Sequence, residues 1–193
     1  MDDLVSLFKT GQREFGARVH EVRDDQWGAP TPDDEWDVAA LVDHVVDENR
    51  WVAPLLDGMS LAAAGDAVAA MPPIADDRVG AWDTAAAAAA AALSAEGALE
   101  RTAELSRGPT PVSQYVGEMI FDLCVHSWDL GRAIGSSRPL PDELVAAVFS
   151  VARGFGDLSA FGDMFKPAVS VPDDAPLVDK LIAFTGRDPS YSA

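Results

Sequence analysis

In the stretch Met119-Ile-Phe-Asp122-Leu123-Cys-Val-His126-Ser-Trp-Asp129-Leu130-Gly-Arg-Ala-Ile134, the positions Met119, Leu123, His126, Leu130 and Ile134 recur at spacings of four, three, four and four. That period marks one face of an α-helix, so an imidazole sits where the stripe demands an apolar side chain. Asp122 lies one turn before His126, and residues four apart on a helix are neighbours. A carboxylate and an imidazole taken out of water together are costly unless something satisfies them. The chain must therefore fold so that another element brings partners to this helix.

The remaining sequence supplies further helices. Residues 2–24 carry Leu4, Phe8, Gly11, Phe15, Val19 and Val22 at spacings of three and four, an amphipathic helix with a narrow apolar stripe. Gly28-Ala-Pro-Thr-Pro32-Asp33-Asp34-Glu35 breaks it, and Asp33 or Asp34 can cap a second helix from about Trp36 to Leu56. Residues 57–75, with Gly58, Gly65, Pro72 and Pro73, read as a loop with a short helical turn. Asp76 to about Arg101 is rich in alanine and reads as one helix. Gly108-Pro-Thr-Pro111 resets the chain before a helix over roughly 112–134, with Gly135 as its C-cap. Pro141 opens a helix through Val145, Val148, Ala152 and Phe155, interrupted between Gly154 and Gly162. A short helix from Pro176 to Phe184 ends at Gly186-Arg187-Asp188-Pro189. No segment alternates with turn spacing suited to a sheet, so the expectation is an all-α fold, a four-helix bundle with additional short helices, spanning 1–193 as one domain.

Composition excludes several function classes. A net charge of −18, from 32 acidic and 14 basic residues, repels phosphate backbones and anionic lipid, so neither nucleic acid nor a membrane surface is an expected partner. One cysteine, Cys124, excludes an intramolecular disulfide and fits a reducing compartment. The start Met1-Asp2-Asp3 is acidic, unlike a secretory signal, and no apolar run reaches bilayer length. These features predict a cytoplasmic protein.

The second helix carries His44 on the flank of Leu41 and Glu48. Two of the three histidines thus fall on apolar flanks that meet in a bundle. Two imidazoles and a carboxylate form a facial triad for a divalent ion, with coordination positions left for water or substrate. The alternative is a structural hydrogen-bond network of the same three residues without metal. Glu48 is a candidate general base, a fourth ligand or a solvated rim residue. Asp129 is placed to orient an imidazole. Asp43 and Asp47 are expected at the surface, as is His20, and Cys124 in the core. Trp36, Trp51 and Trp128 line a pocket or pack in the core.

Thr31-Pro32-Asp33-Asp34-Glu35-Trp36-Asp37-Val38, Leu41-Val-Asp-His44-Val, Asp122-Leu-Cys-Val-His126-Ser-Trp128-Asp129-Leu130-Gly-Arg132-Ala-Ile-Gly135 and Phe184-Thr-Gly-Arg187-Asp-Pro189 follow one another in this order. The pattern resembles the actinobacterial metal-binding proteins of the DinB-like superfamily, related to the N-terminal domain of mycothiol-dependent maleylpyruvate isomerase. The resemblance implies a DinB-like bundle that binds zinc or nickel through His44, Asp122 and His126. In the isomerase itself the carboxylate is a glutamate, and many relatives carry a cysteine where this chain has Asp33. The isomerase also has a C-terminal domain for which this chain holds no residues.

Two functions are expected from this. The first is a mycothiol-dependent S-transferase or isomerase, in which a small-molecule thiol meets a small electrophilic substrate and Glu48 accepts a proton. The second is a non-catalytic metal- or ligand-binding protein with a stress-related role. A bundle of this type is compatible with a homodimer, although no interface stands out in the sequence.

Overall fold

The computed structural model describes residues 2–154, 156–159 and 165–192. Its helices are α1 (Asp2–Val19), α2 (Val38–Leu56), α3 (Leu61–Ala69), α4 (Arg78–Leu93), α5 (Val112–Ile134), α6 (Asp142–Gly154) and α7 (Leu177–Phe184). A short antiparallel hairpin, β1 (Thr102–Leu105) and β2 (Gly108–Pro111), pairs Thr102 with Pro111 and Leu105 with Gly108. The fold is all-α apart from this hairpin. Phe155 and Gly162, expected around the break after α6, lie outside the described residues.

Helices α1, α2, α4 and α5 form a four-helix bundle: α2 lies along α4 and α1 along α5, with α2 against α5 and α1 against α4 closing the square. Phe8, Phe15, Leu41, Leu93, Leu123 and Leu130 are fully enclosed at its centre. Each such side chain contributes roughly 1.5–3 kcal/mol by leaving water. Close approach depends on glycine at two places on α1. A Cβ at Gly11 would stand 3.1 Å from the Leu123 Cβ, and one at Gly16 would overlap the Trp82 indole. No helix among the described residues is long and apolar enough to cross a membrane.

Several boundaries differ from the sequence expectation, each for a local reason. Helix α1 stops at Val19, five residues early. The cap of α2 is Asp37, whose Oδ1 accepts from the Ala40 N–H at 2.8 Å, and not Asp33 or Asp34. Such a cap contributes about 1 kcal/mol. The region 57–75 holds the nine-residue α3, capped by Ser60. The alanine-rich helix ends at Leu93 and not near Arg101. Ser94 donates to the Ala90 carbonyl there, and Gly97 turns the chain at φ 71° into the hairpin.

Two connecting segments position the site. Residues 30–37 are clipped at their ends by an antiparallel bridge between Pro30 and Asp37. Inside, the buried Thr31 hydroxyl lies 2.8 Å from the Trp36 carbonyl and accepts from the Asp33 N–H at 3.1 Å. The second segment follows α7. Gly186 stands at φ 82°, its N–H donates to the Ala183 carbonyl and the Arg187 N–H to Ile182, closing the helix and turning Arg187 back onto the bundle. A Cβ at Gly186 would also meet the Lys166 carbonyl oxygen at 2.5 Å, so glycine is required there twice over.

Candidate metal centre

The packing of α2 on α5 brings His44, Asp122 and His126 together, with one donor atom from each lying within 4.8 Å of the others. Asp122 stands between the imidazoles: His44 Nε2 is 3.2 Å from Oδ2 and His126 Nε2 is 3.4 Å from Oδ1. Two donors on a tetrahedral ion with bonds of about 2.0–2.1 Å are separated by roughly 3.3 Å, so both separations to Asp122 suit a zinc-sized ion, while the widest separation in the trio, up to 4.8 Å, would have to close around it. His44 and Asp122 are about one-third exposed and His126 is 7% exposed. The centre therefore opens on one side only.

Behind His126 the donors are held in a chain. His126 Nδ1 is 3.0 Å from Oδ2 of the fully buried Asp129. Arg187 Nε donates to both Asp129 oxygens at 2.8 and 3.0 Å, and its Nη2 to Asp33 Oδ2 at 3.3 Å. With the Nδ1 proton committed to Asp129, the Nε2 lone pair of His126 is the one turned toward Asp122 and an ion. This is the arrangement by which a carboxylate behind a ligating histidine sets its tautomer and raises its basicity. The donor set thus fits a divalent ion. Trp36 covers the pair, its ring centroid 4.5 Å from that of His44 and 5.4 Å from that of His126.

The electrostatics follow from burial and proximity. Burial lowers the His126 pKa, but Asp122 first and Asp129 second overcome this and raise it to about 10. Burial raises the Asp122 carboxyl, and the His126 and His44 imidazoles more than offset this, holding it below the usual carboxylate range. Without an ion, a proton shared in this cluster takes the position that an ion would fill. For Glu48 burial dominates, reinforced by Asp122, and its carboxyl is pushed up.

The three donors expected from the sequence meet, and Asp129 orients an imidazole. Glu48 lies within electrostatic reach of Asp122 and both imidazoles, yet it is not in the wall of the adjoining cavity. Asp43, expected at the surface, is partly buried in a two-point pair with Arg78 at 2.8 and 2.9 Å, while Asp47 is exposed and accepts from Trp51 Nε1. His20 is half exposed and hydrogen-bonded to Asp83. Cys124 is buried, which pushes its thiol up to about 12. Of the three tryptophans Trp36 alone lines the cavity; Trp128 is buried under Arg132. Sequence reasoning gave no role to Arg187 or Lys166. The glycine after the last apolar turn of α7 was the available signal, since it announces a reversal of the chain.

The cavity beside the trio has a volume of about 520 Å³, within the range of small-molecule sites. One wall is formed by Trp36, Phe121, Val125 and Phe165, and the rim by Asp33, Asp34, Glu35, Lys166 and Arg187.

Comparison with known proteins agrees with this architecture. A family model described as the mycothiol maleylpyruvate isomerase N-terminal domain matches residues 8–131, a span that includes all three donors. Two relatives from Mycobacterium tuberculosis, the uncharacterized proteins MT0763 and Rv0738, are each 32% identical over 193 residues, covering 97% of this chain and 98% of theirs. Crystal structures of the mycothiol-dependent maleylpyruvate isomerase, and of a histidine-to-alanine mutant of it, superpose with a TM-score of 0.59 at 15% identity. They cover 78% of this chain and 68% of that one. At that identity the likeness is one of fold.

Proposed function

This chain belongs to the mycothiol maleylpyruvate isomerase N-terminal domain family, and from that premise we propose that it is a metal-dependent, thiol-using S-transferase or isomerase. In this reading His44, Asp122 and His126 hold a divalent ion, zinc or nickel. Mycothiol is the cosubstrate, and a small electrophile takes up its sulfur, either for good or reversibly during a cis–trans isomerisation. A bound ion supplies Lewis acidity that brings a thiol's pKa down toward neutrality.

The protein's own residues do the remaining work. Asp129, clamped by Arg187, keeps the Nδ1 proton of His126 in place, and Trp36 shields both imidazoles from water on one side. Glu48, with a carboxyl made more basic by burial, is the proton acceptor in this reading, because a base works best with a pKa drawn toward the working pH. The same reading treats 1–193 as one cytoplasmic domain, where a small thiol stays reduced.

The observation that carries the proposal is the convergence of three donors from two helices, with Asp129 fixing the tautomer of one of them. Elemental analysis of untagged protein, followed by mycothiol titration of the cobalt-loaded form, tests it. The expected result is one ion per chain and a thiolate-to-cobalt absorption band. Protein that carries no ion, or whose cobalt spectrum ignores mycothiol, would remove it.

One observation favours a second reading, in which the ligand is bound and not transformed: Glu48 is absent from the cavity wall. Turnover of any thiol and electrophile pair, abolished by His126→Ala, decides against that alternative.

A further inference from the structure

We propose that the cavity beside the donor trio takes guests with an uncharged, flat apolar body, and discriminates against dicarboxylates of the maleylpyruvate type. This rests on the metal-dependent reading above and names its substrate class.

Three aromatic rings, Trp36, Phe121 and Phe165, line the cavity together with Val125. Phe121 and Phe165 meet edge to face at 5.9 Å, and the Trp36 indole that covers the imidazoles lines the same cavity. Rings in such an arrangement offer both face and edge to a planar guest.

Charge works in the opposite direction for an anion. Four carboxylates line the cavity (Asp33, Asp34, Glu35 and Asp122) against two permanent side-chain cations, Lys166 and Arg187, and in the loaded protein the ion would offset the charge of Asp122. Both cations are already engaged. Arg187 is 11% exposed and spends its Nε on both oxygens of Asp129 and its Nη2 on Asp33, with Nη1 at 3.5 Å from the Thr185 hydroxyl. Turning it toward a guest would leave Asp129 buried and uncompensated, which is among the costlier changes a core can suffer. Lys166 is paired with Asp34 at the rim. No cation among the described residues pairs with Glu35. With Asp33 on Arg187, Asp34 on Lys166 and Asp122 among the metal donors, a dicarboxylate meets no free side-chain cation among the described residues and passes the unpaired Glu35, on a chain whose net charge is −18, whereas an uncharged guest meets no such barrier.

The outer part of this wall, Phe165, Lys166, Gly186 and Arg187, lies beyond residues 8–131 that match the family model. The donors, the carboxylates Asp33, Asp34 and Glu35, and the rings of Trp36 and Phe121 lie inside that span, so the lining joins residues from both parts of the chain.

The test uses the full chain loaded with cobalt at low ionic strength and two thiol probes, phenylmethanethiol and mercaptosuccinate, read by the thiolate-to-cobalt band. Phenylmethanethiol should saturate at a concentration about tenfold lower or more, because rim charges near a guest are only partly screened. In Asp34→Asn combined with Glu35→Gln, both exposed positions, the affinity for mercaptosuccinate should rise several-fold and that for phenylmethanethiol stay unchanged. Phe165→Ser should weaken phenylmethanethiol alone. Equal affinities, or a double variant that moves both probes alike, would overturn the inference while leaving the metal reading standing. Failure of cobalt to bind would overturn the metal reading and this inference with it.

Discussion

A histidine enclosed by two carboxylates behaves unlike one in water, and His126 makes that measurable. Its pKa rises from 6.5 to about 10 on folding, so the folded state binds the proton more tightly than the unfolded chain. The stabilisation is complete below pH 6.5 and disappears as pH rises through about 10. Metal-free protein should therefore show a urea midpoint that falls steadily between pH 7 and 10. Zinc-loaded protein should not, because the ion has replaced the proton; a flat profile for the metal-free form would contradict the assignment. Arg187 offers a second measurement at this scale. Arg187→Lys keeps a cation but loses the planar guanidinium, whose Nε serves both Asp129 oxygens while Nη2 reaches Asp33. Loosening a carboxylate behind a ligating histidine typically costs about 10–100-fold in metal affinity. Competition with a chromophoric chelator would show that drop, with metal content at saturation unchanged.

Among the elements, the segment after α7 has the most leverage, since it carries no donor and yet closes the chain of contacts to His126. Its geometry depends on Gly186, held at φ 82° and packed on the Lys166 carbonyl. Gly186→Ala meets both a left-handed backbone and a steric overlap, a combination that costs about 1–3 kcal/mol. Urea denaturation should register that loss. Metal affinity should fall as well, because Arg187 is the next residue. An equally hydrophobic change on the remote face of α3 should leave affinity untouched. The helices themselves were largely legible: stripes at three and four fix α1, α2 and α5 within a few residues. The hairpin at 102–111 was not, because β1 (Thr-Ala-Glu-Leu) is too short to establish a period and β2 is glycine, threonine and two prolines. Nor was the end of α4, where Gly97 and the Ser94 cap stop an alanine run that propensity alone would continue.

For the whole molecule, an ion that binds the native state and not the unfolded chain adds stability by mass action. Zinc at a hundred times its Kd should contribute about 2.7 kcal/mol, seen as a higher Tm that returns to the lower value on adding chelator. His44→Ala should abolish that difference. If the trio is a structural network and no metal site, the same variant lowers Tm while added zinc has no effect on either protein.

The sequence alone determined that α2 and α5 would each turn a polar flank inward, and which donors those flanks carry, because helical period is a local property of the chain. It also determined the acidic surface and the burial of Cys124. Only the tertiary structure decided that Arg187 would stand behind Asp129, that Trp36 would cover both imidazoles, and that Asp33 would turn from a helix cap into an ion pair across 154 residues of chain. Those contacts depend on where a turn releases the backbone and on which buried charge most needs a partner, and neither is settled until the helices have packed.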